Sequence, residues 1–301
     1  MIGLIYDRMM ETRLLEYFVT VADELSVTRA SERLFAAQST VSAGLKSLEG
    51  ELGVALFERS TKAVRLLPPG ELLLPLARAL LDDVEALRQT ATESGSGLRG
   101  RVRIGTFAAM QVLDLPAALG RFRREHPLVD VQIAGSPTGS TGLIDDLAHG
   151  RFDLAFSGVA VPPDLDSWAL ASFEFVVLLP PGHRFAVEGR RSVALEELAG
   201  DDWVDVLPGF GNRVQLDRIL AEHGIRRHVS AELADLPSVG PCVAAGLGVA
   251  VVPDMVDSSG CVKLPLAVPV EPWVFSIAAR HGAVRRPQIR ALIDAIRATA
   301  R

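Results

Sequence analysis

Thr28-Arg29-Ala30-Ser31-Glu32-Arg33-Leu34, then Phe35-Ala36-Ala37, then Gln38-Ser39-Thr40-Val41-Ser42-Ala43-Gly44-Leu45-Lys46-Ser47-Leu48-Glu49 is the stretch that decides how the start of this chain folds. The first seven residues have the small-residue packing of a short helix, and Phe35-Ala36-Ala37 can make a turn. The last twelve read as a second helix with Val41, Leu45 and Leu48 at the spacing of a buried stripe. The opposite face is short and polar: Gln38, Ser39, Thr40, Ser42 and Lys46. Such a face suits base edges and phosphates in a major groove, although helix-turn-helix shapes recur in unrelated folds.

The next residues narrow the reading. Leu52-Gly53-Val54-Ala55-Leu56-Phe57-Glu58-Arg59 ends the helix at Gly53 and becomes extended. Lys62, Val64, Arg65 and Leu66 then alternate basic and apolar, as a small wing does. Together these residues resemble the amino-terminal winged helix-turn-helix of the LysR-type transcriptional regulators. The similarity lies in the small residues of the first helix, the Gln opening the second, the closing Leu-Glu, and Leu-Gly-x-x-Leu-Phe-x-Arg. Pro69-Gly70-Glu71 is similar to the family's junction before a long linker helix. The family often carries Arg and Gln where this chain has Ala43 and Gly44, which places base contacts on fewer residues. The DNA-binding set expected is Arg29, Gln38, Ser39, Thr40, Ser42, Lys46, Arg59, Lys62 and Arg65.

Charge has to be segregated for that reading to hold. The 301 residues carry a net charge of −6, whereas a double-stranded DNA partner asks for a basic footprint. Residues 26–67 hold six basic side chains (Arg29, Arg33, Lys46, Arg59, Lys62, Arg65) against Glu32, Glu49, Glu51 and Glu58. The excess of +2 there leaves −8 on the rest, so binding is expected to lean on two copies sharing one site. Hydrophobic residues at 49% support sizeable cores, and the length asks for two or three domains.

From Pro69 to about Thr92 the sequence reads as one long helix. Leu73, Leu76, Leu80, Val84 and Leu87 recur every three or four residues, with Arg78, Asp82, Asp83, Glu85 and Arg88 outside the stripe. The stripe either packs on its own domain or pairs with a second copy. Its place between two domains, before the hinge Glu93-Ser94-Gly95-Ser96-Gly97, favours pairing, and the resemblance implies the same.

Beyond the hinge, strands and helices alternate. Val102–Gly105, Val129–Ala134 and Asp153–Phe156 read as strands, with helices at Val112–His126 and Leu143–Ala148. That order predicts a parallel sheet with helices on both faces. A second unit begins at Phe175–Leu179 and runs through Trp203–Asp205, Arg213–His223, Val229–Leu233, Leu236–Ala245 and Gly248–Val252. Val274–Ala279 and a closing helix, Pro287–Arg297, give two α/β lobes with the chain crossing twice. Gly100-Arg101-Val102-Arg103-Ile104-Gly105-Thr106, Gly150-Arg151-Phe152-Asp153-Leu154-Ala155 and Val243-Ala244-Ala245-Gly246-Leu247-Gly248-Val249 are similar to the family's second half. The resemblance implies a two-lobed α/β effector-binding domain of periplasmic-binding-protein type, with a small metabolite between the lobes. The expected domains are 10–68, a linker over 69–97, and 98–301.

Open α/β sheets bind ligands beyond the carboxyl ends of their strands, where helix starts offer N–H donors. Thr106 follows the first strand, and Ser136, Thr138, Ser140 and Thr141 crowd the loop after the second. Arg213 opens a helix of the second lobe and can fork onto a carboxylate, or else pair with Asp217 one turn onward. Phe107, Phe210 and Pro237 supply apolar walls. As a set these residues suggest a polar or anionic effector, while each Ser or Thr read singly is equally a helix cap or turn residue.

No catalytic residues, metal or cofactor are expected. His126, His149, His183, His223, His228 and His281 are scattered, and there is no Walker loop, nucleophile elbow or HExxH. Cys242 and Cys261 suit two small apolar fillers of a reduced, cytoplasmic protein; some family members sense peroxide through a cysteine pair, which keeps a redox- or protein-responsive second domain open. Met1 to Arg8 lacks a signal-peptide or membrane pattern, and Met9 or Met10 is the expected start. A free-standing solute-binding protein would suit the second half but not residues 12–66. The expectation is therefore a sequence-specific regulator that pairs as dimers and dimers of dimers, contacts RNA polymerase and avoids membranes.

Overall fold

The computed structural model describes residues 11–59, 64–92 and 97–300. Two compact units divide the chain, Met1–Ser96 and Gly97–Arg301.

In the first unit, helices α1 (Thr12–Glu24), α2 (Val27–Arg33) and α3 (Gln38–Leu52) precede strands β1 (Phe57–Arg59) and β2 (Val64–Leu66) and helix α4 (Pro68–Thr92). Val41, Leu45 and Leu48 are fully buried, with Leu15, Phe18, Val21, Ala30 and Leu56 around them. Each such side chain contributes roughly 1.5–3 kcal/mol of burial. Gly53 ends α3 in the left-handed region, its N–H donating to Glu49 O at 2.9 Å. The Glu49 carboxylate then accepts from the N–H groups of Leu56 and Phe57 at 2.9 and 3.3 Å, steering the chain into the wing. β1 and β2 pair antiparallel, Glu58 opposite Arg65.

Gly44 corrects one expectation. It is buried against α1, and a β-carbon there would lie 2.4 Å from the Tyr17 ring. The position faces the core, so glycine there removes no base contact.

The second unit has two lobes. In the first, strands β3 (Arg99–Thr106), β4 (Leu128–Gly135), β5 (Leu154–Ser157) and β6 (Leu165–Phe173) accompany helices α5 (Leu115–Glu125) and α6 (Gly139–Ala148). The second contains β7 (Phe175–Leu179), α7 (Arg184–Val187), β8 (Asp202–Val206), α8 (Gly211–Glu222), β9 (His228–Leu233), α9 (Val239–Ala244), β10 (Ala250–Pro253) and β11 (Val262–Pro265). The chain then returns to the first lobe through β12 (Trp273–Arg280) and α10 (Pro287–Arg297).

The first-lobe sheet runs β4-β3-β5-β12-β6. β4, β3 and β5 are parallel, but β12 lies antiparallel to both its neighbours. The three strands expected to run parallel do so, and the sheet as a whole is mixed because the strand that returns from the second lobe inserts against the run. β6, a nine-residue strand absent from the sequence reading, lacks a clean two-residue alternation of burial and so left no signal. In the second lobe β7 sits between β10 and β11, antiparallel to each, and β8 pairs parallel with β9. β11 was likewise not foreseen.

Several helix starts differ, α8 beginning at Gly211 rather than Arg213 and α9 at Val239 rather than Leu236 among them. α5 begins at Leu115 rather than Val112, because Asp114 caps it by accepting from Ala117 N at 3.0 Å. α6 begins at Gly139, four residues before Leu143, which puts Ser140 and Thr141 on its first turn.

Candidate functional site

The first site is the exposed face of α3. Gln38, Ser39, Thr40 and Lys46 are exposed and Ser42 is half-buried, so the polar face forms one surface at and beyond the helix start. Ala37 offers α3 no side-chain cap, so no capping side chain covers the first N–H groups of the helix. Arg65 is exposed on β2. The Arg59 side chain and Lys62 lie outside the described residues. Arg29 is exposed, yet its guanidinium rests on Glu24, with Nε 3.4 Å from Oε2 and Nη2 donating to the Glu24 carbonyl. Arg33 also reaches Glu24, at 3.0 Å, and this hydrogen bond, seconded by Arg29, holds the Glu24 carboxyl below its ordinary range.

The second site is a pocket between the lobes, with about 520 Å³ of unfilled space counting its open mouth. Phe107 and Ser140 come from the first lobe, Phe210 and Pro237 from the second, as the sequence suggested. Phe107 stands 6.2 Å from Phe210 and 6.1 Å from Phe275, ring centre to ring centre, so a cluster of aromatic rings forms part of the wall.

Other expected residues fall elsewhere. Ser136 and Thr138 are absent from the lining and bond to each other, Oγ to Oγ1 at 2.9 Å, a local turn contact. Ser140 is 1% exposed and its Oγ accepts from Gly158 N at 3.0 Å. Thr106 is buried at the end of β3, and its hydroxyl has no partner.

Arg213 is the clearest correction. It does not line the pocket; Nε donates to the Asp217 carboxylate at 3.0 Å and Nη1 to Val206 O at 3.1 Å. Asp205 and Glu232 lie 3.5 and 3.4 Å from Nη1. Arg227 closes the cluster, 2.7 Å from Asp205. Burial pushes the Asp205 carboxyl up against the opposing pull of Arg227 and Arg213. The fork holds the second lobe together, as the alternative pairing with Asp217 implied.

Sequence reasoning missed the two most telling residues. Asn212 and Trp273 both line the pocket, 3% and 5% exposed, and neither Asn212 Nδ2 nor Trp273 Nε1 has an acceptor. Buried polar groups are ordinarily paired, so two unpaired donors among the residues that line the pocket stand out. Asn212 sits beside Arg213, whose charge drew attention away from it. The lobes also touch by backbone here. Thr141 N donates to Gly209 O at 3.1 Å, and a β-carbon on Gly209, at φ 94°, would lie 2.5 Å from Thr138 O.

A helix-turn-helix with a small wing in one unit and a two-lobed α/β arrangement in the other are matched by one family among known proteins. The model for the bacterial regulatory helix-turn-helix protein, lysR family, matches residues 12–71, and that for the LysR substrate binding domain matches residues 95–301. The chain is a LysR-family transcriptional regulator. The transcriptional regulator ShiR of Corynebacterium glutamicum is 31% identical over 277 residues, 91% of this chain and 92% of that protein. A Mycobacterium avium relative, described as a probable hydrogen peroxide-inducible genes activator, is 30% identical over 277 residues, 91% of this chain and 84% of that protein. A full-length OxyR variant from Pseudomonas aeruginosa has a TM-score of 0.75 at 29% identity, covering 97% of this chain and 96% of that one.

The regulator's α4 divides its apolar residues between two faces. Leu74 and Ala77 are buried on the core of the first unit, with Leu73 and Leu81 packed beside them. Leu73, expected in the pairing stripe, therefore belongs to its own domain. Leu76, Leu80 and Leu87 stay 60%, 51% and 72% exposed, Leu72 joins them at 76%, and Val84 is half-buried. Cys242 and Cys261 are half-buried free thiols of the regulator's second lobe. Burial, with the charge of Asp257, pushes the Cys261 thiol above its ordinary value. Among the described residues no helix is long and apolar enough to cross a membrane.

Proposed function

We propose that this regulator reads its operator with Gln38, Ser39, Thr40 and Ser42, grips phosphates with Lys46, Arg65, Arg59 and Lys62, and is switched by a small molecule in the interlobe pocket. The effector has an aromatic or otherwise apolar body and one hydrogen-bond acceptor that meets Asn212 Nδ2 and Trp273 Nε1. The single observation carrying this is the pair of unpaired buried donors among the residues that line the pocket. The lining holds no Lys or Arg, and its one charged side chain, Asp235, accepts from Ser238 N and Oγ at 2.9 and 2.7 Å. Any carboxylate on the effector would therefore rest on neutral donors and the start of α8 rather than on an arginine fork.

Leu72, Leu76, Leu80 and Leu87, four exposed leucines on one helix face, support pairing of two copies through α4, with Val84 at the edge of the seam. Effector binding favours one arrangement of the lobes by its difference in affinity for the two, and so resets the placement of DNA-binding units on the operator and their contact with RNA polymerase. A thiol-based switch fits less well, since a raised thiol pKa disfavours the reactive thiolate. The test is a thermal-shift and operator-binding screen of the full chain with neutral and anionic aromatic pairs, such as phenylacetamide and phenylacetate. An effector whose bound structure touches neither Asn212 nor Trp273 overturns the pocket assignment.

A further inference from the structure

Phe35 is the most exposed large apolar side chain among the described residues, at 99%, and its φ is +50°. It forms the turn between α2 and α3, where Phe35 N donates to Glu32 O at 3.1 Å and Ala36 N to Ser31 O at 3.0 Å. Those bonds hold the backbone in the left-handed region, which a β-carbon disfavours and glycine or asparagine accepts. A fully exposed ring gains nothing from the core. The fold thus carries a costly residue that contributes nothing to the unit's own stability, and strained positions of this kind collect at functional surfaces.

Its neighbours identify what covers it. Phe35 lies three residues before Gln38, at the same end of α3 as the exposed Gln38, Ser39 and Thr40 and the uncapped N–H groups. The apolar feature of a major groove is the thymine 5-methyl group, and aromatic side chains are among those that contact it. We infer that Phe35 is a specificity-determining residue that packs its ring on a thymine methyl at the edge of the operator half-site. The inference rests on the reading of α3 as the recognition helix.

The strain makes the test two-sided. Phe35→Gly relieves the left-handed backbone and removes the ring, so the full-length variant should melt no lower than wild type while binding its operator more weakly. Phe35→Asn, which also tolerates positive φ, should behave alike. Replacing the contacted thymine by uracil should weaken wild-type binding roughly fourfold per methyl lost, the factor for withdrawing one such group from burial, and should leave Phe35→Gly unaffected. Unchanged operator affinity in both variants, or a thymine-to-uracil penalty that persists in Phe35→Gly, overturns the inference while leaving operator binding by α3 intact. If Gln38→Ala also left operator selectivity unchanged, the underlying reading of α3 would fall instead.

Discussion

Asn212→Leu should change the stability and the effector response of the Gly97–Arg301 unit in opposite directions. The side chain is 3% exposed and its Nδ2 has no acceptor. A buried donor left unpaired costs about 1–3 kcal/mol, and replacing it by an apolar group of similar shape recovers that cost. Leucine is close to asparagine in size and meets the aromatic wall of Phe107, Phe210 and Phe275. Without effector the variant should therefore melt higher, by about 2–4 °C for each kcal/mol recovered in a unit of this size. The effector loses the same donor, so its affinity should fall by about 5- to 150-fold, the equivalent of 1–3 kcal/mol. Calorimetric melting of the full chain with and without effector, together with titration of both proteins, reads the two signs separately. A variant that melts lower and binds the effector as wild type does would show that the amide already has its partner, and that the pocket works some other way.

Other perturbations probe separate parts of the regulator. Leu80→Asp places a charge on the outer face of α4, where Leu80 is 51% exposed, and should lower the mass by light scattering by splitting the α4 pair, without lowering the melting temperature of the first unit. Unchanged mass would remove α4 as the seam. Asp153, 1% exposed, accepts from Arg103 N at 2.7 Å and faces Arg286 at 2.8 Å. Although burial alone would raise its pKa, Arg103 first and Arg286 after it hold the carboxyl below its ordinary range. Its contribution to stability is thus fully present above the ordinary aspartate range and is lost as pH falls through that range to the lower folded value. Asp153→Asn should cost about 3–5 kcal/mol at neutral pH, with a smaller loss relative to wild type in acid; urea titrations at several pH values check both. Lys46→Ala should weaken binding to all DNA sequences alike and reduce the slope of log affinity against log salt by about one per copy, whereas an unchanged slope would place Lys46 away from phosphate.

The first unit was legible because its signals are local. Val41, Leu45 and Leu48 mark the buried stripe within one helix, and Gly53 marks its end. The alternation of lobes was legible too, and so were Phe107, Ser140, Phe210 and Pro237 as residues of the pocket. What escaped was set by contacts distant in sequence. β12 inserts between β5 and β6 although it begins 100 positions after β6 ends, and no periodicity encodes that placement. The same return strand carries Trp273 to the pocket. Arg213 looked like a ligand-binding fork because its partners Asp205 and Glu232 lie on other strands, and only the fold brings them within reach. Leu73 and Leu76 belong to one apolar stripe in sequence, yet α1 covers one and leaves the other open.

The central claim is that the start of α3 reads base edges. It is tested most directly by titrating wild type and Gln38→Ala against the regulator's own operator and a set of single-base-pair variants at fixed salt. Gln38→Ala should lose about 1–3 kcal/mol of discrimination at one or two positions of each half-site and retain it elsewhere. An identical selectivity profile for the two proteins would contradict it.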